Sequence, residues 1–294
     1  MNERNRAKGL LLISAAIWGS SFIVGRVAVT FIEPLTFSFL QNIIGSVVLL
    51  IALLWYERDE KFKSKLEGFA KPTVILIGVC NGLAYAMQYI ALTLTTAGKT
   101  SLLVNLGIAF VPLFSMTIFK ESIRRNEIFA LILGLIGAFL ITTEGDISLI
   151  LSGALIGDYL ALGAGLMWAL WIVIADQELK KTEHAIRIAA PNAVITSLLL
   201  LISVVLFESM TGLASPSIEV WSAALYLGIF SIAIAYILYY AGLKTLGGTV
   251  SVVYLLLQTV VALVLGIILL SEPISTMLLV GAMFIMMSLV ITKD

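Results

Sequence analysis

One cysteine, one histidine and six prolines stand among 294 residues, and Asp, Glu, Lys and Arg together supply only 12% of them. A single cysteine, Cys80, inside an apolar run excludes an internal disulfide framework and leaves no thiolate cluster for a metal. With His184 the sole imidazole, no metal site and no cofactor are expected. The 18 basic and 18 acidic residues cancel, so the chain has no bulk field to attract nucleic acid. There is also no glycine-and-lysine P-loop pattern for ATP.

Apolar residues fill the space that charge leaves. They make up 60% of the chain, and mean hydropathy is +1.08, against roughly half apolar and roughly a quarter charged in ordinary soluble domains. Runs of about 18 or more apolar residues read as transmembrane helices. Such runs are predicted near 9–30, 35–55, 72–93, 98–119 and 127–143, then near 159–178, 185–207, 219–242, 247–270 and 276–292. Each gap holds a breaker, such as Glu33-Pro34, the charged stretch 57–71, Gly98-Lys99 or Glu121 to Asn126. The first run follows Arg4, Arg6 and Lys8 but is too long for a signal-peptide core and lacks a small-residue cleavage site. It is expected to be a retained first span.

Cytoplasmic loops are enriched in Lys and Arg. With ten spans, the amino-terminal side receives Arg4, Arg6, Lys8, Arg58, Lys61, Lys63, Lys65, Lys71, Lys120, Arg124, Arg125, Lys180, Lys181, Arg187, Lys244 and Lys293, which is 16 of 18. The opposite side receives Lys99, and Arg26 lies within the first span. A multi-pass protein of the cell membrane with both termini cytoplasmic is therefore expected.

The chain also resembles itself. At an offset of 150, Leu10 meets Leu160, Trp18 meets Trp168, Asn42 meets Asn192 and Gly78 meets Gly228. At 151, Tyr89 meets Tyr240, Leu92 meets Leu243 and Glu121 meets Glu272. One near-constant offset superposes five spans on five, which predicts a duplication with halves 1–147 and 148–294. Because five is odd, the second copy must enter the membrane from the other face. The expected fold is all-α, ten transmembrane helices as two inverted five-helix repeats.

The opening Trp18-Gly19-Ser20-Ser21-Phe22 of helix one, the Glu121 and Glu272 closures, the length and the five-plus-five duplication resemble the ten-helix EamA-type drug/metabolite transporter superfamily over nearly the whole chain. That resemblance implies export of amino acids, related metabolites or other small organic solutes across the cytoplasmic membrane. It also implies a central cavity lined mainly by helices one, three, four, six, eight and nine, with five and ten peripheral. One feature departs from the related four-helix small multidrug branch: Ser14, Trp18 and Ser21 occupy the region where that branch carries a helix-one carboxylate.

Ionisable groups inside a span are costly and default to functional hypotheses. Arg26 and its offset partner Asp176 either snorkel to the interface or contact solute. Asn81, Tyr85 and Gln88, spaced by four and three, share one face of helix three. Helix nine carries Ser251, Tyr254 and Gln258, helix eight Tyr236 and Tyr240, and helix four Asn105. All are candidates for a cavity wall or for interhelical hydrogen bonds, with Asn42 and Asn192 assigned to the latter. Trp18, Trp168 and Trp171 lie well inside their spans, as cavity walls alongside Ser21 or as core packing. Glu121, Asp158 and Glu272 are expected to cap helix starts. Gly78, Gly82, Gly134 and Gly137 are expected to allow close helix contact.

Inverted repeats around a midplane site are a recurrent transporter design. The expected partners are a small-molecule solute and the lipid bilayer, with monomer or homodimer left open. A channel would need rings of like charge or a filter loop, and an intramembrane enzyme a nucleophile with a base, paired acids or metal ligands. No pattern for either is visible in the sequence, and both stand as the alternatives.

Overall fold

The computed structural model describes residues 3–56, 58, 62–120, 125–146, 155–182, 184–213 and 216–291. Among these there are helices and no strands. That follows from the hydropathy, because in hydrocarbon a helix satisfies every backbone polar group within its own segment. In chain order the α-helices are α1 (Glu3–Ala28), α2 (Pro34–Tyr56), α3 (Phe62–Ala70), α4 (Pro72–Leu94), α5 (Ala97–Leu106), α6 (Val111–Phe119) and α7 (Arg125–Thr143). They continue as α8 (Ile156–Leu179), α9 (Ile186–Phe207), α10 (Ile218–Tyr226), α11 (Ala235–Leu246), α12 (Gly248–Leu270) and α13 (Thr276–Ile291).

Helices occupy all ten segments expected from hydropathy. Seven stretches are long and apolar enough to cross a membrane, and shorter apolar helices cover Ile132–Ile141, Leu257–Leu270 and Thr276–Ser288. The chain is a polytopic membrane protein. Its outward surface fits lipid: Ile51, Trp55, Leu206 and Phe207 are exposed, whereas Gln41, Asn42, Asn81 and Asn192 are buried.

Two expected spans are not continuous α-helices. The fourth breaks between α5 and α6 at the 3-10 turn Gly107–Phe110, where Pro112 lacks an N–H and crowds the preceding turn. The eighth loosens into a π-helix, Leu227–Ile234, between α10 and α11. Pro191 interrupts α9 internally and leaves the Arg187 carbonyl without its helical donor. Gly68 of α3 packs on that carbonyl, which a Cβ would approach to 2.5 Å. The stretch 57–71, expected only as a charged breaker, thus contains a short helix held against the bundle.

Closest approaches are made by glycine. Gly107 lies on Gly165 of α8 so tightly that a Cβ would fall 2.0 Å from backbone carbon. Gly78 meets Ile195 and Gly82 meets Leu199, both on α9; Gly134 meets Leu106 and Ser288. Gly137 and Gly281 face each other's carbonyls, joining α7 to α13, which pack chiefly on one another. The inner bundle is built from α4 on α8, α1 on α12 and α11, α2 on α9, and α5 on α8 and α12.

Candidate functional site

Six helices present one face each to a central cavity of about 60 Å³. From α1 come Trp18, Ser21 and Phe22, and from α8 come Trp168, Trp171 and Ile172, both sets at i, i+3, i+4 spacing. Helix α4 supplies Tyr85 and Gln88, α12 Leu255 and Gln258, α5 Val104 and α11 Tyr236. These are the first, sixth, third, ninth, fourth and eighth expected spans, the six that the family resemblance implies. None of the twelve lining residues is charged.

Behind the wall, one carboxamide on α4 ties that helix to three others. Asn81 Nδ2 donates to Tyr236 OH at 2.8 Å and to Thr196 Oγ1 at 3.0 Å, and Asn81 Oδ1 accepts from Trp168 Nε1 at 3.1 Å. The indole can only donate, which fixes the oxygen of Asn81 toward Trp168. Tyr236 OH donates to Tyr85 OH at 3.2 Å or to Asn81 Oδ1 at 3.1 Å, and Thr196 Oγ1 donates to the Gly78 carbonyl at 3.1 Å. On the facing side, Trp18 Nε1 donates 2.8 Å to the carbonyl of Ser231, inside the π-helix. Gln258 Nε2 donates to Asn105 Oδ1, whose own amide donates 2.9 Å to the Ser101 carbonyl. Ser21 Oγ donates back to the Trp18 carbonyl at 2.6 Å.

The rings form two groups, joined by the Tyr236–Tyr85 hydrogen bond. Trp171 stacks on Tyr239 with centroids 5.4 Å apart and lies 5.7 Å from Tyr236, while Trp18 is 5.9 Å from Tyr236 and edge-on to it. Tyr85 meets Trp168 edge-on at 5.6 Å. Contacts of this kind add about 0.5–1.5 kcal/mol each beyond area burial, so the wall is stiff. Gln88 differs: it is 2% exposed, faces the cavity, and its Oε1 has no hydrogen-bond partner from the protein.

The remaining candidates sit elsewhere. Asn81 and Asn105 back the wall without lining it. Tyr240 is fully buried behind Trp171, 5.5 Å from it, and accepts from Asn192 Nδ2 at 3.3 Å. Tyr254 is half-buried against the core and outside the wall. Arg26 donates to the Leu92 carbonyl in the last turn of α4, where a cation also meets the negative end of the helix dipole. Asp176 pairs with Lys180 at 2.9 Å, one turn along α8. Asn42 donates 2.8 Å to the Ser38 carbonyl within its own helix.

The carboxylates expected as caps divide. Glu272 accepts from Ala97 N at 2.6 Å and Gly98 N at 2.9 Å, so it caps α5, a helix of the other half of the chain rather than the next helix in sequence. Asp158 lies in the first turn of α8 but pairs with Lys99 at 2.8 Å, and the N-cap position is Leu155, which has no side-chain cap. Glu121 lies outside the described residues, as does the expected 147/148 boundary. A second cap escaped sequence reasoning: Glu208 accepts from Leu35 N at 2.8 Å and Thr36 N at 2.7 Å. Thr196 and the Ser231 carbonyl were also unanticipated. Phe22, Val104, Ile172 and Leu255 carry no signal in a leucine-rich helix that could have found them.

Known proteins resemble this chain over most of its length. An uncharacterized transporter of Archaeoglobus fulgidus is 29% identical over 84% of this chain and 83% of its own. The uncharacterized transporter YvbV of Bacillus subtilis is 27% identical over 97% and 91% respectively. A crystal structure superposes with a TM-score of 0.68 at 20% identity, covering 97% of this chain and 96% of that one, which speaks for the fold alone. The sequence pattern of the EamA-like transporter family matches residues 6–143 and again 155–293. With helices apolar enough to cross a membrane around a central cavity, and with a family match that leaves little of the chain uncovered, the protein belongs to the EamA-like transporter family.

Proposed function

We propose that the protein is a secondary transporter that exports small organic solutes, amino acids or related metabolites, across the cell membrane. In this reading ten helices form two inverted five-helix repeats, both termini are cytoplasmic, and the cavity between the repeats opens alternately to either side. The observation that carries it is the composition of the wall, with three helices from each half: α1, α4 and α5 facing α8, α11 and α12. Packing supports the duplication, since α4 on α8 in one pairing corresponds to α11 on α1 in the other. Two separate matches to the family pattern support it as well.

Two ion pairs between the halves sit at opposite ends of α8. Asp158 holds Lys99 at one end, and Glu178 holds Lys71 at 3.1 Å and Thr73 at 3.0 Å at the other. Twenty residues of helix separate the two carboxylates, about 30 Å, the thickness of a bilayer core. Opening toward either face would release one pair and keep the other. A cavity of about 60 Å³ holds waters rather than a metabolite, since ligand pockets run to about 300 Å³ or more, so the solute enters by such a rearrangement.

Counterflow in proteoliposomes tests the proposal. Vesicles preloaded with unlabelled amino acids and related metabolites should accumulate labelled solute faster than unloaded ones for at least one compound. Equal leak in protein-containing and empty vesicles across the whole panel would overturn it.

A further inference from the structure

We propose that the group recognised inside the cavity is uncharged and planar, an amide or a heteroaromatic N–H and C=O edge, and that Gln88 is the residue that reads it. This rests on the transporter reading and narrows its solute class from amino acids and related metabolites to uncharged metabolites, leaving zwitterionic amino acids out. The first ground is charge. No ionised side chain lines the cavity, and three on the wall helices are engaged elsewhere: Arg26 on the Leu92 carbonyl, Asp176 by Lys180 and Asp158 by Lys99. A carboxylate or ammonium group seated there would be desolvated without a counter-ion, which proteins avoid.

The second ground is the state of the polar groups in and behind the wall. The indole of Trp18 is spent on Ser231, that of Trp168 on Asn81, Tyr236 on Tyr85 or Asn81, and the Gln258 amide on Asn105. Gln88 is the exception among these amides, and beside it on the wall the Trp171 indole N–H is likewise buried and unpartnered. The Gln88 Oε1 is buried and unpartnered while the side chain faces the cavity, and an unsatisfied buried acceptor is costly unless a bound group satisfies it. A carboxamide both donates and accepts in one plane, so its complement is another planar group that does the same. One helical turn before it stands Tyr85, edge-on to Trp168, giving such a group aromatic surface to lie against. At the repeat offset, 88 plus 151 is Tyr239, so the carboxamide of Gln88 is not repeated at that position.

A matched set of probes separates the possibilities. At about pH 6, N-acetyl-phenylalaninamide is uncharged, N-acetyl-phenylalanine an anion, phenylalaninamide a cation and phenylalanine a zwitterion, all with one aromatic body that is transparent where tryptophan is excited. Binding to the full-length protein in nanodiscs is read by quenching of the wall tryptophans. The uncharged amide should bind at least tenfold tighter than each of the other three. Gln88→Leu should weaken it about tenfold, the loss expected for one buried hydrogen bond, and Gln88→Glu should shift preference to phenylalaninamide. Tighter or equal binding of any charged probe, no binding of the amide, or an unchanged affinity in a folded Gln88→Leu protein would overturn the assignment. Should Gln88→Leu fail to fold, the ranking of the four probes on the unsubstituted protein still decides. Solute counterflow with a charged preference would sink this inference and leave the transporter reading intact.

Discussion

The two halves of the chain build the same contact in two different ways. Trp18 and Trp168 are 150 residues apart, and so are the groups their indoles reach, Ser231 and Asn81. In one case the acceptor is a side-chain amide on a regular helix; in the other it is a main-chain carbonyl within the π-helix Leu227–Ile234. Similar offsets pair Ser21 with Trp171 and Gln88 with Tyr239. At these two offset pairs the first half places a hydroxyl and an amide where the second places rings. Elsewhere the halves agree: Tyr89 donates 2.9 Å to Gln41, and Asn192 donates 3.3 Å to Tyr240, two pairs related by 151. Tyr85 and Tyr236, also 151 apart, hydrogen-bond to each other at the centre. Unlike residues at these offset positions make the cavity an asymmetric site.

Three substitutions probe that difference. The largest effect is expected at the tightest crossing, where Gly107 meets Gly165; its counterpart at offset 151 is Gln258, whose carbonyl lies against Gly19. A Cβ at 107 would stand 2.0 Å from backbone that cannot give way, so Gly107→Ala should cost about 3 kcal/mol or more, read as lost folded yield in detergent. Next, Asn81→Leu strands the Trp168 N–H and removes the tie to Tyr236. A loss of about 2 kcal/mol is expected, measured as a lower unfolding midpoint with altered tryptophan emission. Ser231→Ala removes a side chain whose main-chain carbonyl is what Trp18 uses, so stability should change by less than about 0.5 kcal/mol. An effect of Ser231→Ala equal to that of Asn81→Leu would erase the contrast between the halves.

Much of this was legible in the residues. Polar and aromatic side chains inside apolar runs stand out, and helical spacing alone grouped Tyr85 with Gln88, while Trp168 and Trp171 stood out by their depth in the span. The same signal could not rank the tyrosines: Tyr236 reaches the cavity, whereas Tyr240 lies behind Trp171 and Tyr254 outside the wall. Their faces depend on how each helix is rotated, and in the eighth span a π-helical stretch shifts the register that a 3.6-residue period assumes. The apolar wall residues Phe22, Val104, Ile172 and Leu255 were illegible for want of contrast with their neighbours. Glu272 was recognisable as a capping carboxylate, but not as the cap of α5, because its partners lie 174 and 175 residues away.

Partition into the membrane, the helical segments and the breaks between them follow from the sequence by itself, because hydrophobicity sums along a segment and helical hydrogen bonds close within it. Tertiary structure alone decided which polar groups are spent and which remain to meet a solute. Asn81 finds its partners on helices 115 and 155 residues distant, and Gln88 keeps a free oxygen only because no such partner reaches it. Those outcomes depend on where helices cross, which no local pattern encodes.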